Sequence, residues 1–122
     1  MGSFYPDGRH IGTAGLVGSF SFSAPKIIST GQGGAVITNN DEVANKLRRL
    51  KDFGRSSGGN DLHDSIGYNF KFTEFQAGIG ISQMKKLPKL IVKKKKMFQE
   101  YEEFFKNIKQ IEFIKTDLKT IT

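Results

Sequence analysis

The spacing of apolar positions changes along the chain, and the changes divide it into elements. Leu16-Val17-Gly18-Ser19-Phe20-Ser21-Phe22 alternates in part and predicts a strand. Ala35-Val36-Ile37-Thr38 is a short, nearly continuous apolar run, which predicts a buried strand. Before the first strand, Gly2, Pro6-Asp7-Gly8, Gly12 and Gly15 predict loop, and Gly31-Gln32-Gly33-Gly34 predicts a tight turn between the strands.

From residue 39 the period lengthens. Asn39-Asn40 precedes Asp41 and Glu42, an N-cap followed by acids at the positive end of a helix dipole. Val43, Leu47 and Leu50 mark one face of that helix, and Gly54 is a natural stop. Ser56 to Asn60 is a polar loop. Thr73 with Gln76 three residues on predicts a capping box for a second helix, in which Ala77, Gly78 and Gly80 are small enough for close packing. Leu87-Pro88 should end it. A further helix is predicted from about Lys89 to Asn107, with Ile91, Phe98, Tyr101, Phe105 and Ile108 on one stripe. Ile111 to Lys115 reads as a last strand. Few strands stand against many apolar helix faces, so the chain either self-associates or forms part of a larger fold.

Composition narrows the class. The 122 residues are 37% apolar, with eleven Phe, which is globular rather than disordered. There is no Cys, so neither a disulfide framework nor thiolate chemistry is available. His10 and His63 lack the spacing of metal ligands, and no metal site is expected. No apolar run approaches the ~18 residues of a membrane span, and no leader pattern opens the chain, so a cytoplasmic setting is the expectation. The net charge of +7 is uneven. Residues 1–83 carry eight basic side chains against seven acids, and residues 84–122 carry eleven Lys against five acids. Lys93 to Lys96 reads as a solvated helix face. The run has no Arg for base readout, so no specific nucleic acid is expected, though a basic nucleic-acid binder is the third reading.

One lysine stands apart. Lys26 follows a strand, precedes the glycine turn, and has Pro25 and Ile27-Ile28 as neighbours instead of other charges. A lysine desolvated in such a place has a lowered pKa and can act as an amine nucleophile.

Around Lys26 several short patterns recur in order: Ser21-Phe22-x-x-x-Lys26, Gly31-x-Gly33-Gly34 and Thr38-Asn39. They continue as Lys51-Asp52-Phe53-Gly54-Arg55, Gly67-Tyr68-Asn69-Phe70-Lys71, Thr73-Glu74-x-Gln76-Ala77 and Gln83 before Leu87. Together they resemble the sugar aminotransferases of the DegT/DnrJ/EryC1/StrS family, the group of perosamine-synthetase-like and spore-coat-polysaccharide proteins. The resemblance runs over nearly the whole chain. It implies an α/β, partial fold-type-I transferase dependent on pyridoxal 5′-phosphate (PLP). Residues 1–87 would be the end of the large domain, and 88–122 the linking helix and the start of the small one.

Such enzymes move an amino group from glutamate onto a nucleotide-linked keto sugar in polysaccharide biosynthesis. By the resemblance, Lys26 is the lysine bonded to the cofactor, which later moves protons at the substrate carbon. Ser21 matches a serine that hydrogen-bonds the cofactor phosphate. Asn69 matches an asparagine that reaches the phosphate in the neighbouring subunit, which implies a homo-oligomer. Plainer readings stand beside these: Ser21 as a strand residue facing a polar layer, Asn69 as a turn former after Gly67. A dehydratase branch of the family replaces the lysine, so Lys26 points to amination.

The resemblance also implies an aspartate on the ring nitrogen, shortly before the segment matching Gly2-Ser3-Phe4-Tyr5. Asp7 falls after that segment and is no substitute. The expectation is therefore a partial segment, inactive alone, which a complementing chain carrying the N-terminal part would complete. The competing expectation is a non-enzymatic fragment that dimerises through the helices after Thr73.

Overall fold

A computed structural model describes residues 1–56 and 61–114. Strand β1 (Gly18–Ser21) pairs antiparallel with β2 (Gly34–Ile37), in a register that sets Gly18 opposite Ile37 and Ser21 opposite Gly34. Thr38 Oγ1 donates to the carbonyl of Leu16 at 2.7 Å and closes the open end of the ladder. The turn reading of the glycines holds: Gly31 and Gly33 have φ of 81° and 116°, values that favour glycine. The run from Ala35 is a strand but not a buried one, since Val36 and Ile37 are exposed. The pattern reported apolarity correctly, yet among the described residues nothing covers that face.

Before β1, His10 Nδ1 accepts from the Gly12 backbone at 3.0 Å and caps a single 3-10 turn, Ile11–Thr13. The His10 ring lies between Phe4 and Phe20, at 5.2 and 5.4 Å between centroids. Helix α1 (Asp41–Lys51) starts where the sequence places it, with Asn40 Oδ1 accepting from the Val43 backbone at 2.9 Å. On its apolar face Val43 and Leu47 are half-buried and Leu50 is exposed. The helix stops before Gly54, which takes φ of 72°.

Helix α2 (Glu74–Phe105) begins with the expected capping box, but it does not end at Leu87. It runs unbroken through Pro88 for 32 residues, merging the two helices read from the sequence. Proline removes the hydrogen bond to the carbonyl four residues back, that of Met84. Because α2 has no buried residue, that carbonyl can turn to water, and apolar helical spacing on both sides carries the helix past the defect. The strand expected from Ile111 does not form over residues 111–114, and Lys115 lies outside the described residues. Phe113 instead lies against Phe98 and Phe105, at 5.7 and 6.5 Å between centroids, and no described strand is there to pair with.

Little of the chain is buried. Ile28 and Thr30 are the buried side chains among those described, and Phe75, Ile66, Val92 and Phe104 are each at least two-thirds exposed. No described helix is long and apolar enough to cross a membrane.

Candidate functional site

The loop between β1 and β2 is tied at its root. The Phe22 N–H donates to the Gly33 carbonyl at 2.9 Å, and the Phe22 carbonyl accepts from the Thr30 N–H at 2.9 Å and the Ser29 hydroxyl at 3.1 Å. Thr30 Oγ1 donates to the Gln32 carbonyl at 2.6 Å, and Gly31 N–H donates to Ser29 Oγ at 3.0 Å. Buried Ile28 anchors the loop from beneath. At its tip the Lys26 N–H donates to the Ser23 carbonyl at 3.1 Å, a β-turn through Ala24 and Pro25. A loop with both ends and tip bonded holds Lys26 in a defined place.

Ser21 is the last residue of β1, and its Oγ lies 3.0 Å from that of Ser23. Ser21 and Lys26 line the same cavity of about 740 Å³, together with Pro25 and Gly33. That size suits a small-molecule site. Lys94, from the middle of α2, lines it too. Of the run expected to be solvated, Lys93, Lys94 and Lys96 are exposed and Lys95 is half-buried, yet Lys94 also faces the Ser21–Lys26 cavity. No signal within the run separates it from its neighbours; only the path of α2 across the hairpin does.

The expectation of a desolvated Lys26 is not met by this chain's own residues, because Lys26 is exposed. An exposed turn holds the amine in position without taking water from it. The donor set still fits PLP. A hydroxyl at Ser21 and the Lys94 side chain suit a phosphate, and the Lys26 amine on a bonded turn suits an aldehyde carbon.

Asn69 lies apart from that cavity. It is exposed and forms an isolated antiparallel bridge with Asp52. A separate, smaller apolar cavity lies between the loop and α2, lined by Phe22, Ile28, Phe72, Ala77 and Met84 among others. Gly80 lies on it as well, where a side chain would press on Thr30, so the predicted close packing holds at Gly80; at Gly78 a side chain would meet nothing within 4 Å, and it does not hold there.

The comparisons with known proteins agree in direction. A family model described as the DegT/DnrJ/EryC1/StrS aminotransferase family matches residues 1–121. GDP-perosamine synthase of Vibrio cholerae is 37% identical over 95 residues, which cover 78% of this chain and 26% of that protein. Among solved structures, Helicobacter pylori PseC, an aminotransferase involved in the biosynthesis of pseudoaminic acid, matches with a TM-score of 0.79 and 35% identity. It covers 88% of this chain and 29% of its own. Escherichia coli GDP-4-keto-6-deoxy-D-mannose-3-dehydratase with bound hydrated PLP matches with a TM-score of 0.80 and 27% identity, over 88% of this chain and 32% of that one. The chain thus spans about a quarter to a third of the length of these relatives.

Proposed function

Because the chain belongs to the DegT/DnrJ/EryC1/StrS aminotransferase family, we propose that it supplies the lysine-bearing part of a PLP-dependent enzyme that aminates nucleotide-linked keto sugars for polysaccharide biosynthesis, with glutamate as amino donor. The observation that carries this reading is the shared cavity of Ser21 and Lys26, set by the bonded loop between β1 and β2.

When bound, PLP supplies an electron sink for the carbon whose amino group is exchanged. Lys26 would hold the cofactor through its amine and would carry a proton to or from the substrate carbon. Ser21 Oγ would donate to the phosphate, and Lys94, on the same cavity, would add a positive charge. Asn69 of one copy reaches the phosphate at a second copy's site, so the working form is at least a dimer. The carboxylate for the ring nitrogen is assigned to chain outside these 122 residues, either continuous with them or a separate complementing polypeptide. Residues 1–87 then close the large domain, and 88–122 link to the small one. A cytoplasmic site of action goes with this reading.

Amination is favoured over the dehydration named for the Escherichia coli neighbour, because Lys26 is a lysine. A non-enzymatic association module is the second reading, favoured by a 32-residue helix with no buried residue.

The test is reduction with borohydride after PLP addition, followed by peptide mapping. Label on Lys26 alone is the expected result. Label spread over the C-terminal lysines, or Lys26→Ala labelling as well as the parent, would sink the enzymatic reading and leave the association module.

A further inference from the structure

Two stretches distant in sequence cross at the end of α1. On one side is Lys51-Asp52-Phe53-Gly54-Arg55; on the other is Gly67-Tyr68-Asn69-Phe70-Lys71. Asp52 and Asn69 face one another in the antiparallel bridge. Around that point the Tyr68 N–H donates to the Leu50 carbonyl at 2.7 Å, and the Phe70 N–H donates to the Lys51 carbonyl at 3.0 Å. The Phe53 N–H donates to the Tyr68 carbonyl at 3.1 Å. Asn69 is therefore held by backbone bonds at both of its neighbours.

Side chains lock the same crossing. Asp52 Oδ1 accepts from Lys71 Nζ at 2.6 Å and from Arg55 Nη1 at 3.4 Å. The same two cations lie over the Phe53 ring, at 5.2 and 5.3 Å from its centroid. Phe53 adopts φ of 56°, a left-handed conformation that a bulky residue seldom takes, and so holds stored strain at this point. Close approach is allowed by Gly67, where a Cβ would run into the backbone of Phe53 and Gly54. A short bridge outside any sheet would fray in water; across it, Lys71 makes an ion pair with Asp52 and a cation–π contact with Phe53, and both resist that.

We infer that Asp52 is a positioning residue for Asn69. Its carboxylate, bonded to Lys71 two residues beyond Asn69, fixes the register of the Gly67–Lys71 segment and hence the point at which the Asn69 side chain leaves the surface. Asp52 itself is not on the Ser21–Lys26 cavity and acts through Asn69. The inference rests on the reading above that Asn69 meets a cofactor phosphate.

The experiment compares PLP with pyridoxal, which lacks the phosphate, as ligands of the assembled holoenzyme. It uses Asn69→Ala, Asp52→Ala, Lys71→Met and the double variant Asp52→Ala with Asn69→Ala. Loss of one charge-assisted hydrogen bond should cut the preference for PLP over pyridoxal in Asn69→Ala by about tenfold or more. Asp52→Ala and Lys71→Met should each lose part of that preference, about threefold. Asp52→Ala should add nothing in the Asn69→Ala background, as expected of residues acting in series. In the full chain without ligand, amide exchange at Tyr68 and Phe70 should speed up in Asp52→Ala.

Asn69→Ala lowering the preference while Asp52→Ala leaves it at the parent value overturns the inference alone. Equal loss of PLP and pyridoxal binding in Asp52→Ala also overturns it, as a general structural defect. An unchanged preference in Asn69→Ala overturns the reading of Asn69 and this inference with it. Should Asp52→Ala fail to fold, Lys71→Met, which keeps the carboxylate, decides the matter on the same criteria.

Discussion

Gln76 Nε2 donates to the carbonyl of Gln32 at 3.3 Å, joining the first turn of α2 to the glycine turn behind Lys26. The same side chain closes the capping box, with its Oε1 accepting from the Thr73 N–H at 3.1 Å. One residue thus starts the long helix and attaches it to the loop that carries the amine.

That double duty predicts unequal effects at the cap. Thr73→Ala removes the hydroxyl that accepts from the Gln76 N–H at 3.2 Å. It should cost about 0.5–2 kcal/mol of local helix stability. Gln76→Ala should loosen the Gln32 turn as well. Amide exchange separates the two. Both variants should speed exchange at Ala77, and Gln76→Ala alone should speed it at Phe22 and Thr30, whose N–H groups close the loop. Identical exchange maps would show that the Gln32 contact contributes nothing.

Asp52 titrates below its ordinary 3.8, chiefly because Lys71 donates a hydrogen bond to the carboxylate, aided by the charges of Lys71, Arg55 and Lys51. Burial pushes the other way and is outweighed. The folded state thus holds the charged form more tightly than the unfolded chain does. Its contribution is present above 3.8 and is lost as pH falls through the lower folded value. A carbon-detected titration should place Asp52 under 3.8, and Lys71→Met should raise it toward 3.8. An Asp52 midpoint that ignores Lys71→Met would remove the ion pair from the account.

The exposed apolar surface predicts association. Phe75, Ile81 and Met84 on α2, with Val36 and Ile37 on β2, are at least a third exposed. Surfaces of this kind seek partners in water. Sedimentation at micromolar concentration should show dimers or larger species. A compact monomer there would count against the expectation.

Cofactor affinity should be weak in the 122-residue chain by itself. Among the described residues no carboxylate lines the Ser21–Lys26 cavity. Each absent charge-assisted hydrogen bond is worth roughly 1.5–3 kcal/mol. One such bond amounts to about one to two orders of magnitude in Kd. Spectroscopic titration with PLP, repeated with a polypeptide carrying the relatives' N-terminal part, should recover a gain of that order. No gain on complementation would contradict the assignment of the carboxylate outside this chain.

Local chemistry was well written in the residues. Asn40 before Asp41, Thr73 with Gln76, and the glycines after Lys26 each act through neighbours a few positions away, and each was readable. What depended on distant surfaces was not. The apolar run from Ala35 gave a strand but not its exposure. Pro88 read as a stop, because sequence rules weigh the lost hydrogen bond without knowing that the freed carbonyl sits on a solvated helix. Ile111 to Ile114 had strand composition, yet a strand needs a partner, and Phe113 found two aromatic rings instead. Ser21 and Lys26 were legible as neighbours in sequence and meet on one cavity; Lys94 came to it only through the fold.

As a mechanical member, α2 is a beam of 32 residues with one tie removed. It is about 48 Å long at a rise of 1.5 Å per residue. The absent bond between Pro88 and Met84 concentrates its compliance in a single turn, while the rungs on either side stay stiff. From Pro88 to Phe105 the lever arm is about 25 Å, so a bend of about 10° carries the far end sideways by roughly 4 Å. A swing about this turn would move Lys94, with the rest of the distal half, relative to the Ser21–Lys26 cavity it lines, while the first half, pinned to the Gln32 turn through Gln76, would stay with the lysine.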